Sequence, residues 1–225
     1  MSGRPLPPVS QKTIPAYVVR MAIRPLLFAA VCLLAGCLSR PPLKIQTYAF
    51  DPPAASVAKR TAQSQRIVGI RSLRVVAPFD DRSLVYRLGD FSFATDPYAE
   101  FLAPPAEALG PPVRSWMSQN DLFRTVVEPG SALTPNTLAE ITVRELYGDF
   151  RRPSEPAAVL TLRFVLLNSP GGIPGELAFE QEYSRRVPLK ARNATALMAG
   201  WNEALNQILV QLGVELRRLD PSPGS

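Results

Sequence analysis

The chain carries one short apolar run near its N-terminus, LLFAAVCLLAGCLSR at residues 26–40. Its apolar part, from Pro25 to Gly36, is 12 residues long, whereas a helix that crosses a bilayer needs about 20 apolar residues. Arg20 and Arg24 precede the run, and small residues precede Cys37, as in a secretory signal peptide. We therefore predict that residues 1–36 are a removed signal and that the fold is built from the residues after Gly36.

The four residues Leu34-Ala35-Gly36-Cys37 resemble the lipobox of bacterial lipoproteins. In such proteins the cysteine is acylated and becomes the first residue of the mature chain, so Cys37 is the predicted lipidation site. The alternative is an ordinary buried cysteine in an N-terminal helix. Because a complete short signal can be read from Met21 onward, translation is expected to start there.

Removal of this signal changes the cysteine count and the charge. Cys32 lies inside the removed part, so the mature chain keeps Cys37 alone and no disulfide can form. The formal charge of +6 loses four positive residues, Arg4, Lys12, Arg20 and Arg24, which leaves +2. A value this small gives no reason to expect nucleic-acid binding.

The first half of the mature chain predicts strands at 45–50 and 67–77, a β-hairpin at 84–93, a helix at about 104–120 and a strand at 123–128. Gly89-Asp90 is typical of a two-residue type II′ turn. Pro111 and Pro112 predict a kink or a restart in the helix.

The second half predicts three strands, 138–150, 158–168 and 175–189, joined as an antiparallel meander. The last element is predicted to be a helix with Asn193 as its N-cap. Its apolar positions recur at spacings of three and four, which indicates one buried face; they are Leu197, Trp201, Leu205, Ile208, Leu212 and Leu216.

This order of elements predicts an α+β fold, a single domain in which two main helices pack on a mixed β-sheet. The expected division is a signal peptide at 1–36, a lipidated tether at 37–44, the folded domain at 45–220 and a disordered tail at 221–225. The tether is short and contains Pro41 and Pro42.

The chain contains no histidine, which excludes Ser-His-Asp and Cys-His nucleophiles and histidine metal sites. We expect no catalytic residue, metal or cofactor. Ser56 and Lys59 match the S-x-x-K pattern of penicillin-binding proteins, but the companion motifs are missing. Glu180 and Glu182 point to one face of a strand, which suits either a carboxylate pair or, as we favour, a solvated sheet face.

Aromatic residues cluster in the predicted hairpin and in the segment that leaves it. Some must face the core, but a hairpin has two faces, and exposed aromatic side chains form protein or lipid contact surfaces. Trp201, at helical spacing with leucines, is expected in the core rather than at a partner. The candidate partner-binding residues are Tyr86, Arg87, Phe91, Phe93, Tyr98 and Phe101.

Four features together resemble the ABC-type transport auxiliary lipoprotein family, which includes paraquat-inducible protein C. They are the lipobox, TYAFDPP at 47–53, the block RSLRVVAPFDDRSLVYRLGDFSFATDPYAEFLAPPAEAL at 71–109, and the C-terminal helix with its tryptophan. The resemblance covers nearly the whole mature chain. Many members have tryptophan where this chain has Phe101, a mild departure.

The resemblance implies a domain with an anticodon-binding-like topology. It implies partnership with an MCE (mammalian cell entry) protein, a permease and an ATPase of an ABC transporter that moves lipids between two membranes. Leu38 after the acylated cysteine resembles an outer-membrane sorting signal, which places the domain in the periplasm. Lipid is a further candidate ligand.

Two other functions stay open on the sequence. One is a lipoprotein activator or scaffold of a cell-wall enzyme, which would use the same kind of small domain. The other is a hydrolase that uses Ser56 and Lys59 or the carboxylates of Glu180 and Glu182.

Overall fold

The computed structural model describes residues 44–51 and 64–219. The described residues belong to one compact unit that begins at Lys44. The predicted signal at 1–36, the tether up to residue 43, the Ser56–Lys59 motif and the tail at 221–225 lie outside them. The elements in chain order are β1 (Gln46–Tyr48), β2 (Ile67–Val75), β3 (Ser83–Arg87), β4 (Phe93–Phe101), α1 (Pro105–Gln119), β5 (Thr125–Val127), β6 (Thr137–Asp149), β7 (Ala157–Asn168), a 3₁₀ turn (Pro170–Gly172), β8 (Leu177–Pro188) and α2 (Ala194–Leu219).

Strand β6 is the axis of an eight-stranded sheet. One of its edges pairs antiparallel with β7 along its whole length, from Thr137–Asn168 to Asp149–Ala157. The other edge is shared by two parallel strands that succeed each other along it, β2 beside the first half and β3 beside the second. Strand β5 extends the sheet beyond β2, and β4 and then β1 extend it beyond β3. The sheet is mixed, which confirms the predicted α+β class.

The three strands β6, β7 and β8 form the predicted antiparallel meander. Residues alternate between the two sides of a strand, and α2 covers one side. The Tyr183 hydroxyl donates to Oε2 of Glu215 in α2 at 2.6 Å, so Tyr183 faces this helix. Glu182 and Glu180 come one and three residues before Tyr183 in β8, so both side chains face the opposite side of the sheet.

Helix α2 begins where the sequence predicts, because the Asn193 side chain caps it: its Oδ1 accepts from the backbone N–H of Ala196 at 2.8 Å. All six predicted apolar positions of the helix are buried. Trp201 is fully buried, and its Nε1 donates to the Val159 carbonyl at 3.1 Å. Its ring stacks on Phe101 at 5.6 Å, and Phe101 stacks in turn on Phe50 at the same distance. Trp201 is therefore a core residue, as expected.

Helix α1 runs without a restart through Pro111 and Pro112, contrary to one of the two outcomes predicted. Proline inside a helix removes a hydrogen bond, which alone would favour a break. Here Leu109, Val113 and Trp116 on both sides of the prolines are buried in the core. Their burial holds the two halves in one helix.

The loop between β3 and β4 is wider than the predicted two-residue turn. The backbone N–H of Leu88 donates to the Ser92 carbonyl at 2.8 Å, so Gly89, Asp90 and Phe91 form the loop. A type II′ turn needs a positive φ at its first residue, and Gly89 is not among the described glycines with positive φ. The Arg87 guanidinium donates to the carbonyls of Gly89 and Asp90, at 3.3 and 2.9 Å, and so supports the wider loop.

We predict that Gly200→Ala destabilises the domain. A Cβ at this position would lie 2.7 Å from Cβ of Ala158 in β7 and 2.5 Å from Cδ2 of Leu189, so α2 would have to move off the sheet. The expected loss is about 1–3 kcal/mol in the free energy of unfolding, as for other overpacked cores.

The matched control is Gly110→Ala in α1, where a Cβ would meet nothing within 4 Å. Alanine is the better helix former, but Pro111 follows directly and disfavours a helical conformation for a preceding residue with a Cβ, so the expected change in the free energy of unfolding is less than about 1 kcal/mol. Denaturant unfolding of both variants checks the pair. Equal effects would contradict the close approach of α2 to β7.

Candidate functional site: the hairpin end of the domain

Three loops meet at one end of the sheet, and we call this region the hairpin end. They are the β3–β4 loop (88–92), the β6–β7 turn (150–156) and the β8–α2 loop (189–193). The Phe150 N–H donates to the Arg87 carbonyl at 2.9 Å, and the Leu189 N–H donates to the Pro156 carbonyl at 2.8 Å. The Arg192 guanidinium carbon lies 5.0 Å from the centre of the Phe150 ring. These contacts tie the three loops together.

An aromatic cluster fixes the base of the hairpin on the side of β6 opposite α2. The rings of Phe79, Phe93 and Tyr147 lie 5.8–6.3 Å apart, two pairs edge to face and one stacked. The Arg87 guanidinium lies over both Phe93 and Tyr147, with its carbon 5.7 and 6.0 Å from the ring centres. Such aromatic and cation–π contacts are mutually attractive, so the base of the hairpin is rigid.

Two of the six predicted partner-binding residues point inward instead. Phe101 is 1 % exposed and belongs to the stack with Trp201, so its place in the list is corrected: it is a core residue. Tyr86 is half-buried, stacks on Phe150 at 4.8 Å and donates its hydroxyl to Oδ2 of Asp96 at 2.5 Å. Burial, reinforced by the hydrogen bond to Asp96, raises the pKa of Tyr86 above its usual range. Tyr86 therefore acts as an internal brace between β3 and β4.

The other predicted residues reach the surface to different degrees. Phe91 at the tip of the loop is 100 % exposed, Tyr98 is 55 % exposed and Phe93 is 44 % exposed. Leu88 in the same loop is 46 % exposed and was not among the predicted contact residues. Arg87 is partly buried beneath the loop. By position these residues form two groups: a tip in the loop, Leu88 and Phe91, and a flank on the adjoining strands, Arg87, Phe93 and Tyr98.

Asp149, the last residue of β6, is the centre of an ion-pair network that no sequence motif indicated. Its side chain is 3 % exposed. It accepts from Nε and Nη2 of Arg151, at 3.0 and 2.9 Å, and from Nη1 of Arg186. Arg151 continues to Oδ1 of Asp90 in the β3–β4 loop at 3.2 Å. The network therefore links the hairpin loop to β6 and β8.

These contacts shift the pKa values of Asp149 and Arg151. The hydrogen bonds from Arg151, aided by Arg186, hold the pKa of the Asp149 carboxyl well below its usual range, although burial opposes the shift. The carboxylates of Asp149 and Asp90 in turn raise the pKa of Arg151. Both groups stay charged at every physiological pH, so neither is suited to proton transfer.

The network lines an open cavity of about 360 Å³. Its formal charges balance, three arginines against three carboxylates. A general acid or base needs a pKa near the working pH, and the buried member, Asp149, is shifted away from that range. The lining residues are Asp90, Asp149, Arg151, Arg152, Glu155 and Arg186.

The carboxylate pair considered as a catalytic alternative is engaged in ion pairs. Glu180 lies 2.6 Å from Nη2 of Arg163, and Glu182 lies 2.9 Å from Nε of Arg144. Both belong to the solvated face of the sheet, as favoured from the sequence. Within residues 44–51 and 64–219, no three His, Cys, Asp or Glu side chains are grouped so that they could hold a metal ion.

We predict that Asp149→Asn destabilises the domain at neutral pH by about 2–3 kcal/mol, because hydrogen bonds to a charged group contribute roughly 1.5–3 kcal/mol. The folded-state pKa lies below the ordinary value of 3.8. The stabilisation is therefore complete above about pH 3.8 and is lost as the pH falls through the folded-state pKa. Urea unfolding at a series of pH values should show the two proteins converging in acid.

Asp90→Asn is the matched control, since Asp90 pairs with the same arginine but its side chain is 77 % exposed. An exposed pair contributes at most about 1 kcal/mol. A loss as large as that of Asp149→Asn would show that the buried carboxylate is not the centre of the network.

No helix among the described residues combines the length and apolar character needed to cross a membrane. The fold is similar to that of XCC0632 from Xanthomonas campestris, a DUF330 protein, with a TM-score of 0.59 and 18% identity; the alignment covers 76% of this chain and 92% of that one. A second solved structure, of an uncharacterized protein, is similar with a TM-score of 0.52 and 14% identity; the alignment covers 70% of this chain and 93% of that one. No curated protein matches the sequence.

At these identities the structural likeness shows the fold alone. The family is shown by the sequence, because the model of the ABC-type transport auxiliary lipoprotein component matches residues 48–213. That range contains every strand and helix described above except the first two residues of β1 and the C-terminal end of α2. The chain belongs to the family of ABC-type transport auxiliary lipoproteins.

Proposed function

We propose that this protein is a lipid-anchored, non-enzymatic subunit that docks an MCE-type ABC transporter at the outer membrane, where the transporter moves lipid between two membranes. Its partners are the MCE protein, the permease and the ATPase of that transporter. Family membership supports the coarser part of this function, an auxiliary lipoprotein of an ABC transporter.

The observation that carries the docking role is the hairpin flank, defined as Arg87, Phe93 and Tyr98. Phe93 packs against Phe79 and Tyr147 on one side, yet 44 % of it remains exposed. Tyr98 is more exposed still, and its backbone N–H is held by Oδ1 of Asp96 at 2.8 Å. Aromatic side chains on a rigid base lose little conformational freedom on binding, which makes them effective anchors for a partner.

The anchor is Cys37, seven residues before Lys44, where the described chain begins. Seven extended residues reach at most ~25 Å, so the domain would work close to its membrane. Leu38 beside the anchor supports sorting to the outer membrane, with the domain in the periplasm.

We predict that Cys37→Ser leaves the domain folded but unanchored. The side chain that would take the lipid is gone, whereas the core, which begins at Phe50, is untouched. In membrane fractionation the variant should appear in the soluble fraction, and its circular dichroism spectrum should equal that of the parent protein. Continued co-sedimentation with membranes would contradict lipidation at Cys37.

We predict that Tyr98→Ser and Phe93→Ser each weaken docking about tenfold, since truncation of an aromatic anchor costs roughly 1.4 kcal/mol or more. The measurement is co-purification from envelopes, with permease, ATPase and MCE protein identified by mass. Tyr98 is the safer probe because Phe93 also packs internally.

Ile173→Ser is the matched control: it is 70 % exposed but comes directly after the 3₁₀ turn at the opposite end of the meander. Docking that survives both flank substitutions in folded protein, or that is lost equally in the control, would exclude the flank as the contact.

A further inference from the structure

The direction of β1 shows where the N-terminal tether leaves the domain. Strand β1 is parallel to β4, with Gln46 opposite Ala99 and Tyr48 opposite Phe101, and β4 runs away from the hairpin loop. Residues before Gln46 therefore continue towards the hairpin end.

Contacts with α2 give the same direction independently. The Tyr48 hydroxyl lies 3.1 Å from Oγ1 of Thr195 in the first turn of α2, and the Asp51 N–H donates to Oδ1 of Asn202, two turns further on, at 3.3 Å. From Tyr48 to Asp51, the chain thus runs along α2 from the N-terminus of the helix towards its C-terminus. Backwards from Tyr48, the chain approaches the start of α2, which is part of the hairpin end.

Given this chain direction, a lipid on Cys37 would hold the domain by the end of β1 that faces the hairpin end. The connection from Leu38 to Lys44 is seven residues, which span at most ~25 Å. The meander is 12 or 13 residues long, about 40 Å at ~3.3 Å per residue. The tether is therefore shorter than the domain, so the two ends of the sheet are not equally placed to reach the membrane.

The tip of the hairpin end has the chemistry of a membrane interface. Phe91 is 100 % exposed and Leu88 is 46 % exposed, and both belong to the β3–β4 loop. Phenylalanine and leucine are typical of the apolar surfaces that interfacial protein segments bury at the boundary between headgroups and acyl chains. Phe91 lies at the end of the domain towards which the chain before β1 runs, so the bilayer that holds the anchor would offer its side chain an apolar environment.

The charges around the tip complement anionic headgroups. The carboxylates of the three loops and of the adjoining end of β6, namely Asp90, Asp149 and Glu155, are all paired with arginines. In contrast, Arg87, Lys190 and Arg192 form no ion pair within the described part of the chain. Lys190 and Arg192 are exposed. Cations near a membrane surface are attracted to anionic lipids.

We propose that the hairpin end rests on the bilayer that holds the anchor, with Phe91 and Leu88 inserted at the headgroup level and Lys190 and Arg192 facing anionic headgroups. Phe91 is thereby assigned to lipid rather than to the protein partner expected from the sequence. The inference depends on the anchor at Cys37 and is independent of which transporter the protein serves. The flank residues Phe93 and Tyr98 would then lie just above the bilayer, where a membrane-bound partner can reach them.

The test places one reporter at each end of the domain. Phe91→Trp and Ile173→Trp are made in the full lipidated chain and reconstituted into vesicles of phosphatidylethanolamine and phosphatidylglycerol with brominated acyl chains. The native tryptophans, Trp116 and Trp201, are 2% and 0% exposed, so the parent protein supplies a constant background. Both variants carry the same anchor and the same new side chain, so their difference reports orientation alone.

The expected result is that the tryptophan at position 91 loses most of its fluorescence to brominated lipid and shifts to the blue, whereas the one at position 173 keeps the emission of a water-exposed indole. Equal quenching at both positions would show a domain that tumbles on its tether, stronger quenching at 173 would show the reverse orientation, and quenching at neither would show no lipid contact. Each of these three results overturns the proposal. The vesicles contain no transporter, so a failure here is separate from a failure of docking in envelopes.

Discussion

The structure depends on the backbone pairing of one long strand, β6. One edge of β6 forms backbone hydrogen bonds with β7. The other edge pairs with two shorter strands in succession, β2 and β3. Because buried backbone groups need hydrogen-bond partners, a 13-residue strand in the middle of a sheet cannot leave half an edge open. The chain between Val75 and Ser83 therefore carries β3 onto the same edge, and the Val76 N–H extends the ladder to the Val143 carbonyl at 3.0 Å. This step puts the β3–β4 hairpin at the end of β6.

Helix α2 closes the core by approaching this sheet very closely. Because Gly200 has no side chain, the helix can lie directly against Ala158 of β7. Gly148 of β6 lets Leu197 and Tyr86 approach in the same way. Close approach at these points is what allows Trp201 to reach the Val159 carbonyl and stack on Phe101. The hairpin is thus coupled to the main core through β4, in addition to the ion pair that holds its loop.

The same strand also creates the hairpin end. Asp149 terminates β6 beside Arg87 of β3 and Ala157 of β7, so one buried carboxylate can hold arginines from the β6–β7 turn and from β8. Arg151 then reaches Asp90 in the hairpin loop. The loop exposes two apolar side chains, Leu88 and Phe91, which are available to a partner or a membrane. The chain before β1 runs towards this loop, which in the proposed orientation favours the membrane for the tip and leaves the flank for a protein.

Local patterns in the sequence determined most of the elements: the meander from its alternation, α2 from its spacing and its Asn193 cap, and the solvated face that carries Glu180 and Glu182. They also predicted a lipid anchor, through the lipobox and its short signal, and indicated the family. Only the tertiary structure decided which aromatic residues are exposed, because a hairpin has two faces and its pairing partner selects which face is buried; Phe101 and Tyr86 turn inward and Leu88 outward. The width of the loop, the Asp149 network and the direction of β1 depend on contacts between residues far apart in the chain, which local periodicity does not encode.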